Sequence, residues 1–140
     1  MSSNAELPRQ ESGWWLRPPK PTVVFDFDGV INSYKSGWKG DTEIPDAPVP
    51  GIREAIAHVR LTGYRAVVVS TRCRTSDGMA AVRAYLSDNE IVVDDVRADK
   101  PPAVCYIDDR AICFDGHPEA LLEKIINFKP WYSTEKVGLK

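Results

Sequence analysis

The apolar positions of the chain fall into short runs separated by amphipathic stretches. Val23-Val24-Phe25 is β-branched and aromatic and runs into Asp26-Phe27-Asp28-Gly29, the pattern of a buried strand opening into a turn. After Pro50 and Gly51, Ile52, Ala55, Ile56 and Val59 recur at i, i+3, i+4 and i+7 up to Gly63, which predicts a helix with one face on a sheet and a glycine at its end. Residues 64–69 predict a second strand, and Met79, Val82 and Leu86, spaced by three and four after Ser76-Asp77-Gly78, a second helix. Ile91-Val92-Val93 reads as a short strand, residues 103–107 as a clear one and residues 111–114 as another. Pro118 then opens a helix carrying Leu121, Leu122, Ile125 and Ile126. Strands alternating with single amphipathic helices imply an α/β fold, a mostly parallel sheet with helices on both faces joined by right-handed crossovers. Residues 128–140 show no usable period. Residues 1–20 are polar and proline-bearing apart from Trp14 and Trp15, so they read as a loosely ordered arm held by its indoles, leaving residues 21–140 as a single domain.

Composition narrows the function classes. With 140 residues, 43% of them hydrophobic and 27% charged, the chain is long enough for one well-filled core and too apolar for global disorder. The net charge of −2 supplies no overall positive field for nucleic acid or anionic lipid, so any anion site is local. Cys73, Cys105 and Cys113 are too few, and odd in number, for a disulfide framework. No apolar run approaches the ~20 residues of a membrane span, and the first twenty residues lack the apolar stretch of a signal peptide. The expectation is a cytoplasmic protein, monomeric or a small homo-oligomer, without a membrane partner.

Chemistry gathers at the predicted carboxyl ends of strands, where α/β folds place their sites. Asp26 and Asp28 end the first strand, Ser70 the second, and Asp108-Asp109 a later one. Residues two apart on an extended chain point the same way, so Asp26 and Asp28 can share a pocket while Phe27 packs against the sheet. Four carboxylates in one small volume would repel and hold protons unless a cation neutralised them. An all-oxygen set suits Mg²⁺, which commonly takes one or two carboxylates plus substrate phosphate. Lys100 adds an ammonium, and Ser70 with Thr71 presents hydroxyls and backbone N–H groups at a strand-to-loop junction, fit for phosphate oxygens. Phosphoryl transfer is the fitting reaction: one carboxylate attacks phosphorus while another protonates the leaving oxygen and then activates water.

The set Val24-Phe25-Asp26-Phe27-Asp28-Gly29-Val30, Ser70, Lys100 and Tyr106-Ile107-Asp108-Asp109 resembles the four ordered motifs of the haloacid dehalogenase-like (HAD) hydrolase superfamily, over about residues 22–115. The resemblance implies a Rossmann-like fold and a Mg²⁺-dependent phosphomonoesterase. It makes Asp26 the nucleophile, Asp28 the general acid/base, Ser70 a phosphate ligand and Lys100 the charge-balancing lysine. Asp26 and Asp108 would hold the metal, with Asp28 joining through its backbone carbonyl and Asp109 either supporting the shell or pairing with Lys100. Val30 stands where the first motif often has Thr. Val69-Ser70-Thr71-Arg72 and Ile107-Asp108-Asp109-Arg110 further resemble, over a short span, the 3′-phosphatase part of polynucleotide kinase. Motif order separates the chain from response-regulator receiver domains, whose acid pair comes first; here it comes last.

The gaps after the first motif and between the second and third leave no room for a cap domain, so the site is expected to be open to a bulky substrate. A nucleotide or nucleic acid 3′-phosphate end is the leading expectation. Gly29, Thr71, Arg72, Lys35 and Trp38 are its candidate contacts, the last two pairing an aromatic face with a cation just after the nucleophile. A sugar-phosphate or other small-molecule phosphatase is the first alternative, and a non-catalytic binding or regulatory module of the same fold the second. Other residues have plainer readings. Asp94-Asp95 reads as a solvated strand end, and His58 and His117 as structural or surface groups. Cys73 lacks the arginine six residues on that a thiol phosphatase needs, Met79 standing there, while Cys105 and Cys113 read as core packing.

Overall fold

The computed structural model describes residues 20–133; the expected arm with Trp14 and Trp15 lies outside them. Strand β1 (Thr22–Asp26) has Val23, Val24 and Phe25 all buried, because both faces of the sheet are covered there and a continuous apolar run is what such a strand requires. Helix α1 (Ile52–Thr62) ends where Gly63 adopts φ 117 and returns its N–H to the carbonyls of Val59 and Arg60, a left-handed cap open to glycine at no steric cost. β2 (Arg65–Val69) follows, then a 3₁₀ turn over Thr71–Arg74 and helix α2 (Ser76–Asp88). Thr75 caps α2, its side chain accepting from the Gly78 N–H at 3.0 Å. β3 (Asp95–Arg97), β4 (Cys105–Ile107), a 3₁₀ turn at Pro118–Ala120 and α3 (Leu121–Ile126) complete the described chain.

The four strands are parallel in the order β3-β2-β1-β4, with Phe25 level with Val68 and Ile107. Strand addition runs outward from β1 to β3, then returns past β1 to β4. That reversal places a topological switch point between β1 and β4, where α/β sheets open a crevice beyond the strand ends. Val23, Phe25, Ala66 and Val68 join Ile56 of α1 and Val82, Tyr85 and Leu86 of α2 in the main core, while Val24, Val67 and Val69 form a second cluster with Ala103 of the β3–β4 connection. Among the described residues no helix is long and apolar enough to cross a membrane.

Three expectations are corrected. Ile91-Val92-Val93 is no strand; the third strand is Asp95–Arg97. Ile91 is buried as the stop that turns the end of α2 into the core, Val92 is 62% exposed, and pairing with β2 begins only after Asp94. Residues 111–114 are not extended into a ladder, and Phe114 is exposed. Cys105 and Cys113 are exposed rather than core residues: Cys105 lies on β4, the outer strand of the described sheet, and Cys113 in the irregular segment after it.

Asp94 is also more than a solvated strand end. Its carboxylate accepts from Arg60 Nε and Nη2 at 3.0 Å each and from the Ala66 N–H at 2.8 Å, tying α1 to the sheet edge. The hydrogen bonds from Arg60 hold its carboxyl below the usual range, so this contribution is present above the ordinary carboxylate pKa and fades as pH drops through the lowered value. Asp94→Ala is expected to cost about 1–3 kcal/mol in urea unfolding at pH 7, chiefly by orphaning the Ala66 N–H; an unchanged midpoint and slope would deny the bracket any role.

Candidate active site

The alternation of β1 continues past its end. Phe27 turns into the core, fully buried and edge-on to Tyr85 at 5.2 Å, which leaves Asp26 and Asp28 on the crevice side. The chain then winds tightly, the N–H groups of Val30, Ile31 and Asn32 all pointing at the Phe27 carbonyl at 3.3, 2.9 and 3.0 Å. Gly29 sits in this turn at φ 84. A Cβ there would collide with the Asp109 carboxylate and with Tyr132 Cε2, so glycine is required both by the backbone and by what packs on it. The glycine also has a structural task, that of letting Asp109 and Tyr132 approach.

Asp26, Asp108 and Asp109 converge, each offering a carboxylate oxygen, with those atoms within 4.8 Å of one another. Burial, then a hydrogen bond with Asp109, then the charges of Asp108 and Asp109 push Asp26 up to about 8. Such a cluster holds a proton where it lacks a cation. Lys100 Nζ lies 3.5 Å from Asp108 Oδ2, so the lysine pairs with Asp108 and not with Asp109. Half exposed at its side chain, it offsets only part of the negative charge. An all-carboxylate set of this size fits a hard divalent cation such as Mg²⁺.

The Asp28 carboxylate stands apart from that trio. Arg72 grips it through Nε at 3.2 and 3.0 Å and Nη2 at 3.1 Å, and Asn32 Nδ2 donates to it at 2.8 Å. Arg72 is 1% exposed. Its remaining Nη1 donates to the carbonyls of Gly40, Asp41 and Glu43 at 2.7, 3.1 and 3.3 Å, and its guanidinium lies 4.5 Å from the Trp38 ring. Arg72 therefore holds the acid/base candidate and the loop after β1 in one grip, and Nε, Nη1 and one Nη2 hydrogen of this expected substrate contact are engaged inside the protein.

The loop between β1 and α1 forms one wall of the site. Tyr85 Oη donates to the Asp46 carbonyl at 2.9 Å and Thr75 Oγ1 to Asp41 Oδ2 at 2.6 Å, so α2 fixes its path. Tyr34 accepts a left-handed φ of 61 there, its N–H donating to Asn32 Oδ1 at 3.1 Å. The result is an open cavity of about 190 Å³ over Asp26, Asp28 and Asp109, walled by Tyr34, Trp38 and Arg110 and floored by Ser70 and Thr71. Ser70 Oγ accepts the Arg72 N–H at 3.2 Å, which leaves its own hydroxyl proton to donate. Lys35 is exposed and is not part of that wall.

Sequence reading passes over Asn32 and the segment after α3. That segment folds back onto the site. Trp131 Nε1 donates to the Gly29 carbonyl at 2.7 Å, and Tyr132 Oη to Asp109 Oδ2 at 2.7 Å. Burial and that carboxylate push the Tyr132 phenol up to about 12, so it remains a donor at neutral pH. Pro130-Trp131-Tyr132 carries no period; two aromatics beside a proline in a polar tail are the only signal the sequence offers.

No family model matches the chain, and no curated protein does. Among solved structures it is similar to a chain of the Pnkp1/Rnl/Hen1 complex, with TM-score 0.47 and 18% identity over 74% of this chain and 34% of that one. It is also similar to a chain of the Pnkp1/Rnl/Hen1 RNA repair complex, with TM-score 0.45 and 14% identity over 89% of this chain and 34% of that one. The matched region spans about a third of the length of those chains.

Proposed function

We propose that this chain is a Mg²⁺-dependent phosphomonoester hydrolase of the HAD type, acting through an aspartyl phosphate on Asp26. The observation that carries the reading is the convergence of Asp26, Asp108 and Asp109 at the switch point of the sheet, beside a separately held Asp28. Asp26, Asp108 and Asp109 would hold a divalent cation, which would supply the positive charge that the cluster otherwise gains from a proton. Asp26 would then attack phosphorus, the bond to the leaving oxygen would break, and Asp28, having first taken up a proton from solvent, would deliver it to that oxygen. In the second half Asp28 takes a proton from water, the water oxygen joins phosphorus, and Asp26 is released. Dividing the carboxylates this way requires that the Asp28 side chain keep out of the cation cluster, and its hydrogen bonds with Arg72 and Asn32 support this reading. Ser70 would donate its hydroxyl proton to a phosphate oxygen.

The aromatic wall of Tyr34 and Trp38, with Arg110 and a small cavity beneath, favours a phosphate carried on a nucleotide or nucleic acid end, whose base can stack as it meets the rim. With Mg²⁺ present, phosphate release from a 3′-phosphorylated oligonucleotide is expected to exceed release from sugar phosphates and mononucleotides at equal concentration. Turnover of sugar phosphates alone would replace the substrate, and failure on every phosphoester would leave a binding module.

A further inference from the structure

We propose that Tyr132 is a positioning residue for the cation cluster: its hydroxyl fixes the rotamer in which Asp109 faces Asp26 and Asp108. The inference rests on reading that cluster as a Mg²⁺ site, and extends the site to a segment that none of the four motifs contains.

Tyr132 is twenty-three residues from Asp109, and Trp131 is one hundred and two from Gly29, yet each makes a 2.7 Å hydrogen bond. The two bonds close on opposite sides of one junction, the turn after β1 and the acid pair after β4. A hydrogen bond of this length to a carboxylate is charge-assisted and directional. The phenol is also held laterally: the Tyr34 ring stands 6.0 Å away at 78° and the Trp131 ring 5.6 Å away at 85°. Pro130, buried at the base of the segment, adds a fixed φ. The absence of a side chain at Gly29 opens the space in which Asp109 and Tyr132 meet.

A purely packing role accounts for less. Trp131 is 62% exposed, so its indole contributes little burial, while its one polar atom is aimed at the motif turn. A carboxylate has lone pairs enough to accept from Tyr132 and still ligate through its other oxygen. Left without the phenol, Asp109 loses the hydrogen bond that fixes its rotamer beside Asp26 and Asp108.

The test is direct Mn²⁺ binding to the full chain, read by the loss of free-ion electron paramagnetic resonance signal, with no substrate present. Tyr132→Phe is expected to weaken binding roughly 10–100-fold, the usual effect of removing a group that orients a metal ligand, while far-ultraviolet circular dichroism is unchanged. A double-mutant cycle separates positioning from general loosening. In an Asp109→Asn background, where binding is already weak, Tyr132→Phe should bring no further loss. Equal affinity of wild type and Tyr132→Phe overturns the proposal, as does an equal loss in both backgrounds. A wild-type chain that takes up no Mn²⁺ instead overturns the cation site itself.

Discussion

Asp26→Asn is expected to lower Mg²⁺-dependent phosphate release by more than about 10⁴-fold, the scale of losing a nucleophile, with the fold intact. The same substitution has a second signature that does not depend on turnover. Wild-type Asp26 is raised to about 8 in the folded chain, above all by burial, whereas the unfolded chain releases that proton near the ordinary carboxylate value. Between those limits the folded state holds the extra proton, so stability must fall as pH rises across the window. In chelator, the loss between pH 5 and pH 8, discounted for solvent screening at a partly exposed site, is expected to be on the order of 2 kcal/mol, or roughly 6–10 °C in melting temperature. Saturating Mg²⁺ should flatten the slope because the cation replaces the proton, and Asp26→Asn should flatten it because the amide needs neither. A mutant that still turns over, or a wild-type melting temperature indifferent to pH in chelator, would remove Asp26 from the centre of the mechanism.

Arg72 is expected to show the largest structural effect. Its guanidinium is buried against Asp28, three loop carbonyls and Trp38, so Arg72→Ala leaves a carboxylate without its ion pair and the loop without its anchor. Breaking one side of a buried pair of this kind costs about 3–5 kcal/mol, a large part of a total of roughly 5–15 kcal/mol. Arg72→Lys is the informative partner. It keeps the charge but cannot span Asp28 and the Gly40 carbonyl at once, and it should fold while losing roughly 10²-fold in kcat through misplacement of the acid/base. Calorimetry and steady-state kinetics on the two variants decide the matter: wild-type stability in Arg72→Ala, or wild-type kcat in Arg72→Lys, would make the grip incidental.

Much of this site is legible in the chain alone. The strand at Val23-Val24-Phe25 and the outward pair Asp26 and Asp28 follow from two-residue alternation, and α1 ends at the glycine its pattern names. Misreadings arise where neighbours far along the chain decide. Ile91 is apolar because it plugs the core, so apolarity there carries no information about strand pairing. Cys105 belongs to an apolar run, yet the outermost strand of the described sheet leaves it exposed. Arg72 looks like a substrate contact because it stands two residues from Ser70, a candidate phosphate ligand; only its partners at Gly40, Asp41 and Glu43 reveal that it faces inward.

The sequence by itself determined which groups are candidates for chemistry and on which strand ends they lie, since spacing along an extended chain settles direction without reference to the rest of the molecule. Tertiary structure decided which carboxylates share one volume, which one is set aside by Arg72 and Asn32, and that Trp131 and Tyr132 return to close on Gly29 and Asp109. Those contacts join residues far apart along the chain, and no local period encodes them because their partners are chosen by the packing of the sheet.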